Sequence, residues 1–271
     1  MLTRSKRTVL VLLALGSVGF ARQDCGTALA AEYRQSDVDR AVKQLDSADQ
    51  SARTSAAYHL SEMGPAAKYA VPRLIELLNS DPSMGVRGES ANALSKIGPD
   101  AEAAVPSLIA FLNNKDGGYE RTYAASALGW IGRYPEQAVP ALINAIQHDE
   151  EPVVRQLAAR SIGEFGANAR PAIPVLIEAI KDGDKDMREA AAYGLRTIPA
   201  TASDVPALTA LMGDDINSAR EAAAKSIGGA GSEAIGAIPT LQKLLKDQDD
   251  SVREAATASL RAIDPNAKPT P

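Results

Sequence analysis

The residues best suited to catalysis or metal binding in this 271-residue chain are two histidines, one cysteine and a short run of aspartates. Each of these chemistries needs its groups within hydrogen-bonding or coordination distance of one another. His59 and His148 fall in the first and fourth units of the repeat described below. At roughly 9 to 10 Å per stacked helical layer they stand on the order of 25 to 30 Å apart, so they share neither a metal nor a proton relay. Cys25 lies in an N-terminal segment expected to be removed, which leaves no thiol nucleophile. The stretch Asp182-Gly183-Asp184-Lys185-Asp186 starts like a calcium loop, but Met187 stands where that loop needs glycine and Tyr193 where it needs a bidentate glutamate. Gly228, Gly229 and Gly231 lack the preceding strand and the lysine of a phosphate-binding loop. No catalytic residue, metal or cofactor is therefore expected.

One basic residue recurs with a fixed period. Arg53, Arg87, Arg121, Arg155, Arg188, Arg220 and Arg253 are spaced by 34, 34, 34, 33, 32 and 33 residues. A row of arginines could bind an anion, yet at 100° per residue each lies only about 30° from the centre of its helix's buried face. The expectation is that each runs along the groove between layers and pairs with a turn aspartate of its own or a neighbouring repeat. Aspartates stand at these turns (Asp81, Asp116, Asp149, Asp214, Asp215, Asp247, Asp249 and Asp250) and can cap the helix that follows.

The elements that must position these side chains follow from a second marker. Pro72, Pro106, Pro140, Pro174, Pro206 and Pro239 are spaced by 34, 34, 34, 32 and 33 residues, each preceded by Val or Ile and followed by an apolar run. Each unit thus reads as a proline-led helix, an acidic turn, and a second helix opened by the arginine. In the second helix, offsets +3 and +4 from the arginine are mostly Ala, +7 is Leu or Ile, and +6 is small in six of seven units, which lets neighbouring helices approach closely. Gly64, Gly98, Gly132, Gly166 and Gly231 close second helices, and Pro199 stops the fifth. Unit one has Val38 in place of the proline and unit seven runs into Asp264-Pro265, as terminal caps of a stacked array would. Alanine-rich composition with only 4 % aromatics agrees with close-packed helices rather than a sheet.

The N-terminus differs in character. Arg4, Lys6 and Arg7 precede an apolar run from Thr8 to Phe20 and then Ala28-Leu29-Ala30, the layout of a secretory signal, with cleavage expected after Ala30. The run is shorter than the roughly 20 residues a spanning helix needs. Arg22, Gln23 and Asp24 before Cys25 do not suit a lipid-attachment site. Residues 1–30 read as a signal peptide, 31–265 as the repeat array and 266–271 as a disordered tail. The mature chain would then be exported, periplasmic or secreted, cysteine-free and about −8 in charge, a balance that argues against a nucleic-acid partner.

The pattern Val-Pro-x-Leu-Ile, acidic turn, Val-Arg, Ala-Ala-x-Ala-Leu-x-x-Ile-Gly, clearest from Arg87 to Gly98 and from Arg121 to Gly132, resembles the short bacterial HEAT repeats, the kind also found in phycobilin lyases. The resemblance implies an all-α, right-handed α-α superhelix of about seven two-helix repeats and, for most such proteins, protein binding. HEAT-like di-iron hydroxylases carry His-Glu metal pairs, and neither histidine here precedes a glutamate. A pigment chaperone or lyase, or a purely structural envelope role, is the alternative.

HEAT-like arrays expose the second helix of each pair on a concave face, where offsets +5, +9 and +2 point outward. Those offsets supply Tyr58, Arg160 and Tyr193, then Trp130, then Tyr123 and Leu157. Trp130, Tyr123, Leu157 and Arg160 are expected to form one central group for a protein or peptide partner, because Trp, Tyr and Arg are enriched at binding hot spots. The competing expectation is that Trp130 folds down and fills a gap.

Overall fold

The computed structural model describes residues 34–265; the signal segment and the tail expected from the sequence lie outside them. Seven helix pairs make up the described residues. The first helices are α1 (Gln35–Gln44), α3 (Val71–Ser80), α5 (Val105–Leu112), α7 (Pro135–His148), α9 (Ile173–Asp182), α11 (Val205–Leu211) and α13 (Ile238–Leu244). The second helices are α2 (Gln50–Met63), α4 (Met84–Ile97), α6 (Arg121–Ile131), α8 (Pro152–Ile162), α10 (Lys185–Leu195), α12 (Asn217–Gly228) and α14 (Asp250–Ile263).

The proline determines how each first helix begins. In α3, α5, α9, α11 and α13 it is the second residue, where its missing N–H costs no intrahelical bond. A short 3₁₀ segment leads into each of these helices. Repeat four departs from this: α7 starts at Pro135, a turn early, and carries Pro140 in its interior. The early start follows Tyr134, whose φ of 50° makes it the one non-glycine positive-φ residue among those described. Of the glycines expected to close second helices, Gly64, Gly98 and Gly132 do so, whereas α8 and α12 end earlier, at Ile162 and Gly228, and Gly166 and Gly231 fall in the 3₁₀ segments that follow. All five take positive φ, which a Cβ would oppose. In repeat five α10 ends at Leu195, four residues ahead of Pro199.

The two layers pack differently. Consecutive second helices are in dense contact, whereas consecutive first helices touch sparsely, so the array curves with the second helices on its inner side. Small residues make this possible. A Cβ on Gly129 of α6 would lie 2.8 Å from Ser161 Cβ of α8, and one on Gly194 of α10 would lie 2.0 Å from the Ala159 carbonyl oxygen. The small +6 position thus meets the +8 position of the preceding repeat. His59, the one large +6 residue, sits in repeat one, which has no preceding second helix among the described residues, and is exposed. The first helices fill the space behind with Leu74, Leu108, Leu142, Leu176, Leu208 and Leu241, all fully buried.

The arginines tie the layers together. Arg53 pairs with Asp81 at 2.7 Å, Arg121 with Asp149 at 2.9 Å, Arg188 with Asp214 at 2.7 Å and Arg220 with Asp247 at 2.7 Å. Each partner belongs to the following repeat, not the arginine's own. The same aspartates accept the backbone N–H two residues on, at Ser83, Glu151, Ile216 and Asp249, and so brace their own turns. N-capping of the second helices falls to other side chains: Asp49, Ser83, Asp184 and Asp249. Burial is the strongest single influence on the Asp81 carboxyl and pushes it up, but the hydrogen bonds from Arg53 and the Ser83 N–H and the nearby guanidinium charges together hold it below the usual range. Two rungs are missing. Lys115 stands where Arg87 would find an aspartate, and Arg87 instead bonds the Leu78 carbonyl and stacks on Phe111. Gly183 stands 28 residues beyond Arg155, where Asp81 and Asp149 stand for their arginines, and Asp182, one residue earlier, ends α9 exposed and makes no ion pair with Arg155.

Candidate partner-binding face

Offset +9 is exposed in all seven repeats, as its outward angle requires: Glu62, Lys96, Trp130, Glu164, Thr197, Gly229 and Ala262. Trp130 is 58 % exposed, so it does not fold into a gap. Tyr58 and Tyr193, at offset +5, are 47 % and 40 % exposed. Offset +2 is outward only in the early repeats. Tyr123 and Leu157 are half-buried against the core, while Ala190, Ala222 and Ala255 at the same offset are buried. In those last three repeats the outward position moves to offset +1, occupied by Glu189, Glu221 and Glu254.

The expected central group divides in two. Tyr123 leans toward the N-terminal repeats: a Cβ on Gly88 of α4 would sit 3.4 Å from its ring and 3.0 Å from Glu120 Cγ, so Gly88 is the seat on which both rest. Tyr119, just before α6, stands 6.5 Å from Tyr123 ring to ring. Burial first, then Glu89 and Tyr119, raise the Tyr123 phenol above its ordinary pKa. Tyr58 belongs to the same side, with its phenol raised by the charge and hydrogen bonding of Glu62 and then by Glu89. Asn92 donates to Glu89 at 3.1 Å. An open depression of 660 Å³ runs from the start of α2 past Tyr58 to Glu89.

Arg160 leans the other way, across to repeat five. Its guanidinium carbon lies 5.6 Å from the Tyr193 ring centroid, and that of Arg196 lies 4.0 Å from the same centroid. Trp130 stands between the two groups in chain order. Arg196 and Tyr119 were not marked by the outward offsets. Tyr119 precedes its helix, and Arg196 occupies +8, a position small in the other repeats that have a following neighbour: Ser61, Ser95, Gly129, Gly163 and Gly228. That break in the small-residue rule was the signal that could have found it.

The remaining chemistry-bearing residues are apart or engaged. His59 and His148 are both exposed; His148 Nδ1 lies 3.2 Å from the Asn144 carbonyl oxygen of its own helix, and His59 tilts against Tyr58. Asp184 caps α10 by accepting from the Met187 N–H at 2.8 Å. Among the described residues no group of three or more His, Cys, Asp or Glu converges on a common point, and no helix is long and apolar enough to cross a membrane.

A tightly stacked inner layer, a proline-led outer layer and a ladder of arginines define a helical-repeat solenoid. The family model for HEAT repeats matches residues 38–129, 119–196, 139–228 and 205–270, and the chain belongs to this family. Among solved structures, the complex of CpcE and CpcF of phycocyanin lyase from Nostoc sp. PCC7120 is similar in fold, at 23 % identity and TM-score 0.52, over 91 % of this chain and 99 % of that one. A designed armadillo repeat protein in complex with the peptide (KR)4 aligns at 18 % identity and TM-score 0.48, over 84 % of this chain and 99 % of that one. No curated protein is similar enough to count as a match.

Proposed function

We propose that this chain is an exported, non-catalytic scaffold that binds a protein or peptide along its inner helical face. The observation that carries this reading is the open row of aromatic side chains on that face. Tyr58, Trp130 and Tyr193 each keep 40 % or more of their surface in water, on second helices that are otherwise closely packed. Large apolar area left exposed on a rigid, continuous surface gains free energy when a partner covers it. The rigidity matters because the face loses little conformational entropy on binding. The basic, apolar and small-residue succession at the N-terminus supports export, and cell fractionation of the tagged full chain tests that part.

Binding is tested by a pull-down from envelope extract with the wild-type chain beside a Trp130→Ala, Tyr58→Ser double variant of equal helicity. The reading expects a partner retained by the first and lost by the second. Equal capture by both would remove the inner face as the binding surface.

A further inference from the structure

We infer that the Arg160–Tyr193–Arg196 cluster is the subsite of this face for a carboxylate-bearing segment of the partner, an acidic stretch of an extended polypeptide. The inference rests on the inner face being the binding surface and specifies the chemistry it selects.

Both guanidinium groups lie over one phenol ring, and the two ring distances place them within about 10 Å of each other. Stacking fixes the guanidinium planes while leaving their edge N–H donors for a planar, bidentate acceptor such as a carboxylate. The neighbouring charges are already committed. Glu189 is paired with Lys185 at 3.9 Å, and Glu221 with Lys225. No carboxylate of the described residues makes a salt bridge to Arg160 or Arg196, in contrast to the four arginines of the ladder.

Arg196 also stands where packing favours a small side chain. It lies at +8 of a repeat that has a following neighbour, where the other five such repeats carry Ser or Gly. A residue that breaks a packing rule followed elsewhere in the array, and gains a ring contact but no counter-charge in return, marks a site kept for something outside the chain. Carboxylates occur along the whole face, Glu62, Glu89 and Glu120 in repeats one to three and Glu164 and Glu189 in repeats four and five, but only in the latter do two arginines converge on one ring, so an acidic segment finds its donors there. Nucleic acid is disfavoured as the occupant, because its affinity needs many phosphate contacts and this subsite offers two arginines within an acidic protein.

The test is fluorescence anisotropy with the full chain at low salt, using three labelled probes: a hexaglutamate peptide, a hexaglutamine peptide and an eight-nucleotide oligothymidine. Hexaglutamate should bind at least tenfold more tightly than either of the others. Arg196→Ser restores the residue found at Ser61 and Ser95, so it should keep or raise Tm while weakening hexaglutamate binding about tenfold. Arg160→Gln, Arg196→Gln should abolish the preference. Glu62→Gln, Glu89→Gln should leave hexaglutamate binding at repeats four and five in place. Equal binding of acidic and neutral peptides, tighter binding of the oligothymidine, or an Arg196→Ser variant with lowered Tm and unchanged affinity would each overturn the assignment. A partner captured in the pull-down alongside such a failure would leave the binding face intact and remove only this subsite.

Discussion

The inner and outer layers of this solenoid are built from the same kind of helix, yet they differ in what holds them together. Inner helices meet through glycine, alanine and serine, with backbone close enough that Gly194 has no room for a methyl group. Outer helices touch one another little and press their leucines inward instead. Side-chain size therefore sets the curvature: small residues draw one layer together and large ones wedge the other apart. It also decides which layer can serve as a platform. A closely stacked layer presents its outward side chains at fixed spacings, and those are where Tyr58, Trp130 and Tyr193 stand.

The comparison can be broken at the ties between the layers. Asp149→Ala removes the partner of buried Arg121 and should cost about 3–5 kcal/mol in urea-unfolding free energy, because the guanidinium stays buried without its counter-charge. A loss under about 1 kcal/mol would show that the ladder adds little. In the outer layer, Leu142→Ala leaves a cavity and should cost about 2–5 kcal/mol. In the inner layer the opposite change does the damage: Gly194→Ala adds one carbon against the Ala159 carbonyl and should cost about 1–3 kcal/mol. If the alanine proved neutral, tight stacking would not be what sets the curve.

Acid sharpens the same comparison at the turns. Asp249 is held down to about 2, first by Ser251 and Asn217 and then by backbone N–H groups. Its depressed folded-state value means the stabilisation is present above the unfolded carboxyl value near 3.9 and is lost as pH falls toward 2. After allowance for solvent screening this is about 1 kcal/mol, and Asn217→Ala should flatten the stability profile between pH 4 and 2. Smallest of all, Trp130→Ala should change unfolding free energy by no more than about 0.5 kcal/mol, since its ring is mostly in water. A larger loss would make it a structural residue and weaken the proposed function.

The period of the fold was legible because two unrelated residues, the proline and the arginine, mark it independently. The pairing rule was half legible: spacing placed an aspartate near each arginine, but not in which repeat, because that depends on the tilt between layers. The early start of α7 was hidden, since it turns on Tyr134 accepting a conformation that sequence pattern assigns to glycine. At the candidate site, outward angles located Tyr58, Trp130, Arg160 and Tyr193 correctly on the surface. They could not say which way a side chain leans. Tyr123 settles on Gly88 and Arg160 on Tyr193, so the single expected group became two.

The two missing rungs have a mechanical consequence. Ion-paired ties join repeats one to two, three to four, and five through seven, leaving two seams: between repeats two and three, and between four and five. At these seams neutral contacts take the place of the ion pair, Asn79 on Ser107 at the first and Thr197 on the Gly163 carbonyl at the second. Tyr123 on Gly88 spans the first seam and Arg160 on Tyr193 spans the second. A molecule gripping those side chains would therefore straddle both places where the chain of ion pairs is interrupted, adding a splint where the molecule has none of its own.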